Sequence, residues 1–124
     1  MYKNNNKRAL GEEKEQLAAD YLSNIGYNIL ETNYRTRFEE IDIIAKDDET
    51  YVFVEVKYRN NDIYGNPLES INYSKQRRIS MGAVSYLSKN KICIESTSIR
   101  FDAIGITNGK ITHIKDAFEY MGIR

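Results

Sequence analysis

Residues 40–59 read EIDIIAKDDETYVFVEVKYR. Two runs rich in β-branched and aromatic residues flank the polar stretch KDDET, which predicts two strands joined by a turn. With residues 47–50 as the loop, Ala45 pairs with Val52 and the numbers of paired residues sum to 97. Side chains alternate across a strand, and directly opposed residues share a face. One face then carries Ile41, Ile43, Ala45, Val52, Val54 and Val56; it is wholly apolar and predicts a core. The other carries Asp42, Glu55 and Lys57, with Ile44 and Phe53 toward the loop end. A slip of one residue would set Asp42 against a valine, so the reading depends on the register.

In that register Asp42 lies opposite Glu55, with Cβ atoms about 4.5–5.5 Å apart. Two carboxylates held so close repel each other. Two readings follow. The charges form a solvated ion-pair surface, or a cation sits between the acids. Lys57 would serve in part. A divalent ion would serve better, because Mg²⁺ is commonly held by one or two carboxylates with waters and substrate phosphate. Three features favour a site: the strand is otherwise apolar, the acids converge, and Glu15 extends the inward stripe of the preceding helix.

That helix is predicted over LGEEKEQLAADYLSNIGY, after a loose arm of residues 1–8. Glu12 and Glu13 suit its first turn and Gly26 its end. Its inward stripe is Ala18, Leu22 and Ile25, with Leu17 and Tyr21 beside it. YNILETNYR predicts a further strand. Residues 72–89 predict a second helix, with Ile79, Ala83, Tyr86 and Leu87 inward. IRFDAIGI, TNGK and ITHI predict a hairpin, since Asn-Gly favours a type I′ turn. DAFEYMGI predicts a short closing helix. The chain therefore reads as a single α/β domain, residues 1–124, with a mixed β-sheet flanked by helices.

Composition narrows the classes. Lys+Arg and Asp+Glu both number 18, so clustering of charge matters more than its sum. The single Cys93 cannot form an intrachain disulfide; its neighbours Ile92 and Ile94 predict a packed thiol. No Cys/His cluster suggests zinc, and no Walker-type glycine loop is present. The lone His113 is expected to pack or to lie at the surface rather than to ligate. No apolar run has membrane-spanning length, and the polar N-terminus MYKNNNKR has no apolar core of a secretory signal. A cytoplasmic location is expected, with no membrane partner.

An Asp on one strand followed by Glu-x-Lys on the next resembles the PD-(D/E)XK nuclease pattern, here Asp42 … Glu55-Val56-Lys57. A longer resemblance is to the YraN-like family of small bacterial proteins, itself similar to archaeal Holliday-junction resolvases. It is carried by GEEKEQLAADYLSNIGY, NYRTRFEEIDIIA, FVEVKYR, YGNPLESINYSKQRRI and IRFDAIGI, which cover most of the chain from Gly11 to Ile106. The resemblance implies a restriction-endonuclease-like core, with Glu15 as the helix acid near the metal and Gly11 before it. It also implies a homodimer, by analogy with relatives that act on two-fold junctions. The family usually has Gly-Glu-Ile-Asp where this chain has Glu39-Glu40-Ile41-Asp42, so Glu39 adds a charge near incoming DNA.

The expected function is metal-dependent endonucleolytic hydrolysis of phosphodiester bonds in DNA, including branched or junction DNA. Mg²⁺ or Mn²⁺ is expected on Asp42, Glu55 and the Val56 carbonyl, with Glu15 acting directly or through a water. Lys57 completes the catalytic set Glu15, Asp42, Glu55 and Lys57. Arg35, Arg37, Arg59, Lys75, Arg77 and Arg78 are the expected nucleic-acid contacts. Two alternatives remain: a nucleic-acid-binding module that keeps the fold without cutting, and a structural protein whose acids form an ion-pair network.

Overall fold

The first helix, α1, spans Tyr2–Asn24 and ends where Gly26 takes a positive φ of 103°. There the Tyr27 N–H reaches back to the Leu22 carbonyl at 2.9 Å, closing a Schellman-type stop that glycine accommodates without strain. The computed structural model describes residues 2–59 and 67–121; part of the matched YGNPLES stretch lies outside them. The expected arm is helical from Tyr2, so Glu12 and Glu13 lie well inside the helix instead of in its first turn.

Three antiparallel strands follow: β1 (Asn28–Arg35), β2 (Glu40–Asp47) and β3 (Thr50–Arg59). Ala45 faces Val52 and Ile43 faces Val54, which is the expected register. The turn is tighter than predicted, since Asp47 and Thr50 still pair. The second helix, α2 (Tyr73–Lys89), carries the chain across to β4 (Ile99–Thr107), which runs parallel to β3. Asn72 caps α2 by accepting from the Lys75 N–H at 2.8 Å. β5 (Lys110–Phe118) completes a sheet of order β1-β2-β3-β4-β5, through a turn at Asn108 and Gly109 with φ of 52° and 78°. The result is an α/β fold whose five-stranded mixed sheet lies between two helices, compatible with a restriction-endonuclease-like core.

The helices cover opposite faces. α1 sets Ala18, Ala19 and Leu22 on Ile43, Ala45, Val52 and Val54. α2 sets Ile79, Ala83 and Leu87 on Ile44, Phe53 and Phe101. Leu17 and Ile25, expected on or beside the inward stripe, are exposed, because Ala19 takes their share of the narrow contact. Ile41 also departs from expectation. It leaves the valine face and packs with the α2 cluster, and a Cβ at Gly82 would come within 3.2 Å of its Cδ1.

Two further expectations fail for local reasons. Cys93 is exposed, because Ile92 and Ile94 on either side take the inward positions before the short 3₁₀ turn Ile94–Ser96. No closing helix forms among the described residues 116–121, the rest of its expected range lying outside them: β5 runs on to Phe118, whose ring stacks on Phe101 at 4.9 Å. A bulge at Asp116 (φ 53°) lets that register continue.

Candidate active site

Past the Ile43–Val54 pair the ladder between β2 and β3 opens, and a side chain takes over. The Val56 N–H donates to Asp42 Oδ2 at 2.8 Å. This bond turns the Asp42 carboxylate toward β3, within reach of the Glu55 charge. Glu55 is almost fully buried, at 4 % exposure. Burial first, and then the Glu55 charge, pushes the Asp42 pKa up to about 8. At neutral pH Asp42 therefore keeps its proton.

Glu15 belongs to α1, which packs on the valine face and not over the polar one. It nevertheless stands close enough to Asp42 for its charge to raise the Asp42 pKa further. Glu15 lines a pocket of ≈ 250 Å³ with Gln16, Thr32 and Asn33. A larger pocket, ≈ 450 Å³, is lined by Val84, Ile94, Ser98 and Tyr120 among others, and holds none of the predicted residues. Among the described residues no three acidic, histidine or cysteine side chains converge to ligate one ion.

Lysines crowd the other side of Glu55. Lys57 Nζ lies 3.3 Å from Glu55 Oε2, as the shared strand face requires. Lys75 Nζ lies 2.9 Å from the same oxygen. Lys75, expected among the phosphate contacts, is carried by the first turn of α2 into the acid cluster. There it also meets Glu39 at 2.9 Å, and its two acids raise its pKa despite burial. Arg78 Nε binds the other Glu39 oxygen at 2.9 Å. Burial alone would raise the Glu39 pKa; the bonds from Lys75 and Arg78 outweigh it and bring it below the usual range.

The remaining predicted cations lie apart. Arg35 is exposed beside Glu40, 3.8 Å away, and Arg37 lies over the Phe38 ring. Arg77 is exposed on α2, and Arg59 is half-buried at the end of β3. The sequence reading missed a second polar cluster. Asp102, fully buried on β4, accepts from Arg100 Nε at 2.9 Å, Tyr27 Oη at 3.0 Å and the Asp116 N–H at 3.1 Å. It also pairs with His113 Nε2 at 2.8 Å, and the other ring nitrogen meets Tyr21 Oη at 3.1 Å. The signal was present: Arg100 and Asp102 share a strand face just as Glu55 and Lys57 do.

A sequence profile described as uncharacterised protein family UPF0102 matches residues 14–106. UPF0102 proteins of Thermodesulfovibrio yellowstonii and Persephonella marina are each 50% identical over 109 residues, covering 88% of this chain and 95% and 92% of theirs. The chain belongs to the UPF0102 family, the YraN-like proteins. A third UPF0102 member, from Lachnoclostridium phytofermentans, is 49% identical over 117 residues, 94% of this chain and 98% of its own. The matched range contains every predicted site residue from Glu15 to Arg78. Among the described residues no helix is long and apolar enough to cross a membrane.

Proposed function

We infer that this UPF0102 protein is a metal-dependent nuclease that hydrolyses phosphodiester bonds in DNA, branched or junction DNA included. The observation that carries the reading is the Asp42–Glu55 pair: the Val56 N–H turns Asp42 toward an almost fully buried Glu55, whose charge raises the Asp42 pKa. Natural sheets avoid such juxtapositions unless something is gained from them. The donor set suits Mg²⁺ or Mn²⁺. It offers hard carboxylate oxygens and the Val56 carbonyl, with no thiol or imidazole beside them. A bound ion would supply a nucleophilic water at neutral pH and stabilise charge on the phosphate.

The chain's own groups have separable tasks in this reading. Asp42 and Glu55 hold the ion, and the Val56 N–H fixes the orientation of Asp42. Glu15 orders water from the α1 side. Lys57, on the face of Glu55, stabilises the phosphate as negative charge grows in the transition state. Lys75 holds Glu55 in place through its 2.9 Å ion pair. One observation favours a non-cleaving nucleic-acid-binding module instead: the ammonium groups of Lys57 and Lys75 already stand on Glu55.

Metal and cleavage separate the two readings. Millimolar Mn²⁺ should raise the melting temperature of the wild type, because the ion binds only the native pair. Asp42→Asn with Glu55→Gln should remove that rise. A panel of branched, flapped and linear DNA incubated with Mg²⁺ or Mn²⁺ should show cutting. No thermal response and no cutting would leave the binding module.

A further inference from the structure

Glu39 is held in place by backbone bonds that do not need its carboxylate. Thr36 Oγ1 accepts from the Phe38 and Glu39 N–H groups, both at 3.1 Å, and donates to the Glu39 carbonyl at 2.7 Å. From this closed turn the side chain spans to α2 and divides its oxygens: Oε2 to Lys75 and Oε1 to Arg78, each at 2.9 Å. Arg78 is steadied from behind by Ser74 Oγ at 2.7 Å. The Glu39 side chain is 18% exposed, whereas the neighbouring Arg35–Glu40 pair stands at 82% and 40%. Solvent therefore screens the Glu39 contacts far less.

An anion that presents separate oxygens to a lysine and an arginine is also what a backbone phosphate presents. Lys75 Nζ is shared with Glu55, so an anion seated there lies against the acid pair. We propose that Glu39 is an internal competitor for nucleic-acid phosphate: it fills the Lys75–Arg78 anion site in the free protein, and a substrate backbone enters by displacing it. This rests on the nucleic-acid reading above and adds a threshold to it. A lone phosphate gains only these two contacts and loses to the tethered carboxylate. An extended backbone also engages the exposed Arg77 on the same helix and prevails.

The test is DNA binding without metal. Fluorescence anisotropy with a labelled duplex in EDTA, over a salt series, compares wild type with Glu39→Gln, Glu39→Asp and Glu40→Gln, each verified as folded by its melt. Glu39→Gln should bind roughly tenfold tighter, with a log–log salt slope larger in magnitude by about 1–2 as two cations are released to the backbone. Glu39→Asp keeps the charge but withdraws it by one methylene, and should show part of the gain. Glu40→Gln makes the same charge change one residue away and should stay within about twofold. Adding Lys75→Ala and Arg78→Ala to Glu39→Gln should erase the gain. The proposal is overturned if Glu39→Gln gains no more than Glu40→Gln, if the gain survives loss of both cations, or if no variant binds. Failure of the nuclease reading would show separately, as absent cutting and an absent Mn²⁺ effect.

Discussion

Two neighbouring strands each carry an acid and a cation two residues apart. On β3 these are Glu55 and Lys57; on β4 they are Arg100 and Asp102. β3 and β4 are paired in register, with Val54 beside Asp102 and Glu55 beside Ala103, so the two motifs face opposite helices. Their surroundings differ in sign. Asp102 is surrounded by donors, and although burial alone would raise its pKa, Arg100, His113 and the Asp116 N–H bring it below the usual range. Glu55 has Lys57 and Lys75 on one oxygen but Asp42 as a neighbour, and the Asp42 pKa rises to about 8. A satisfied buried carboxylate is a structural part. A frustrated one invites a ligand.

Breaking the satisfied side should have the largest effect. Asp102→Ala strands Arg100, His113 and Tyr27 without their common acceptor, which should cost about 3–5 kcal/mol of stability. Urea denaturation measures this. Should Asp102→Ala prove no worse than Asp42→Ala, the contrast between the clusters is wrong.

On the frustrated side, Lys57→Ala should cut DNA about 10²–10³-fold more slowly and bind it within a few-fold of wild type, as expected of a contact made mainly in the transition state. Cleavage at saturating protein, with anisotropy for binding, separates the two quantities. Wild-type cutting by this variant would reduce Glu55–Lys57 to an ion pair like any other. Glu15→Gln should fold normally and weaken Mn²⁺ binding by about tenfold, the range for a group acting through a water or a ligand. Titration calorimetry that shows unchanged affinity would detach α1 from the site.

The smallest effect concerns pH. Asp42 binds its proton more tightly folded than unfolded, so between about pH 4 and 8 the native state holds the extra proton and stability from this pair falls as pH rises. Asp102 has the opposite sign: its lowered pKa contributes stability that is lost only as pH falls below the usual carboxylate range. Asp42→Asn should therefore flatten the decline and melt higher than wild type at pH 8 by the equivalent of about 1 kcal/mol, roughly 3–6 °C. Parallel melting curves for the two proteins from pH 5 to 8 would show that the acids are not coupled.

Much of this was legible from pattern. Alternation in β2 and β3 set the register, and Asn108-Gly109 marked the second hairpin. The sequence missed whatever depended on distant partners. Lys75 read as one of a run of surface cations, yet it lies 2.9 Å from an acid twenty residues earlier in the chain. Glu39 read as an intrusion on DNA, and its cationic partners became visible only once α2 crossed the sheet. Arg100 and Asp102 went unread because Tyr27 and His113 arrive from α1's end and β5. Ile41 departed from the alternation because the ladder opens at the next residue, Asp42.

Gly82 is buried where α2 faces Ile41 and Thr36. A Cβ there would stand 3.2 Å from Ile41 Cδ1 and 3.2 Å from Thr36 Oγ1. Ile41 precedes Asp42, and Thr36 anchors the turn that presents Glu39. Both acids are thus indexed to one helix through a single missing methyl. An uncharged, wholly buried alteration at Gly82 would shift two charged groups at once, so mechanical tolerance at this position limits how finely the chemistry outside it is aligned.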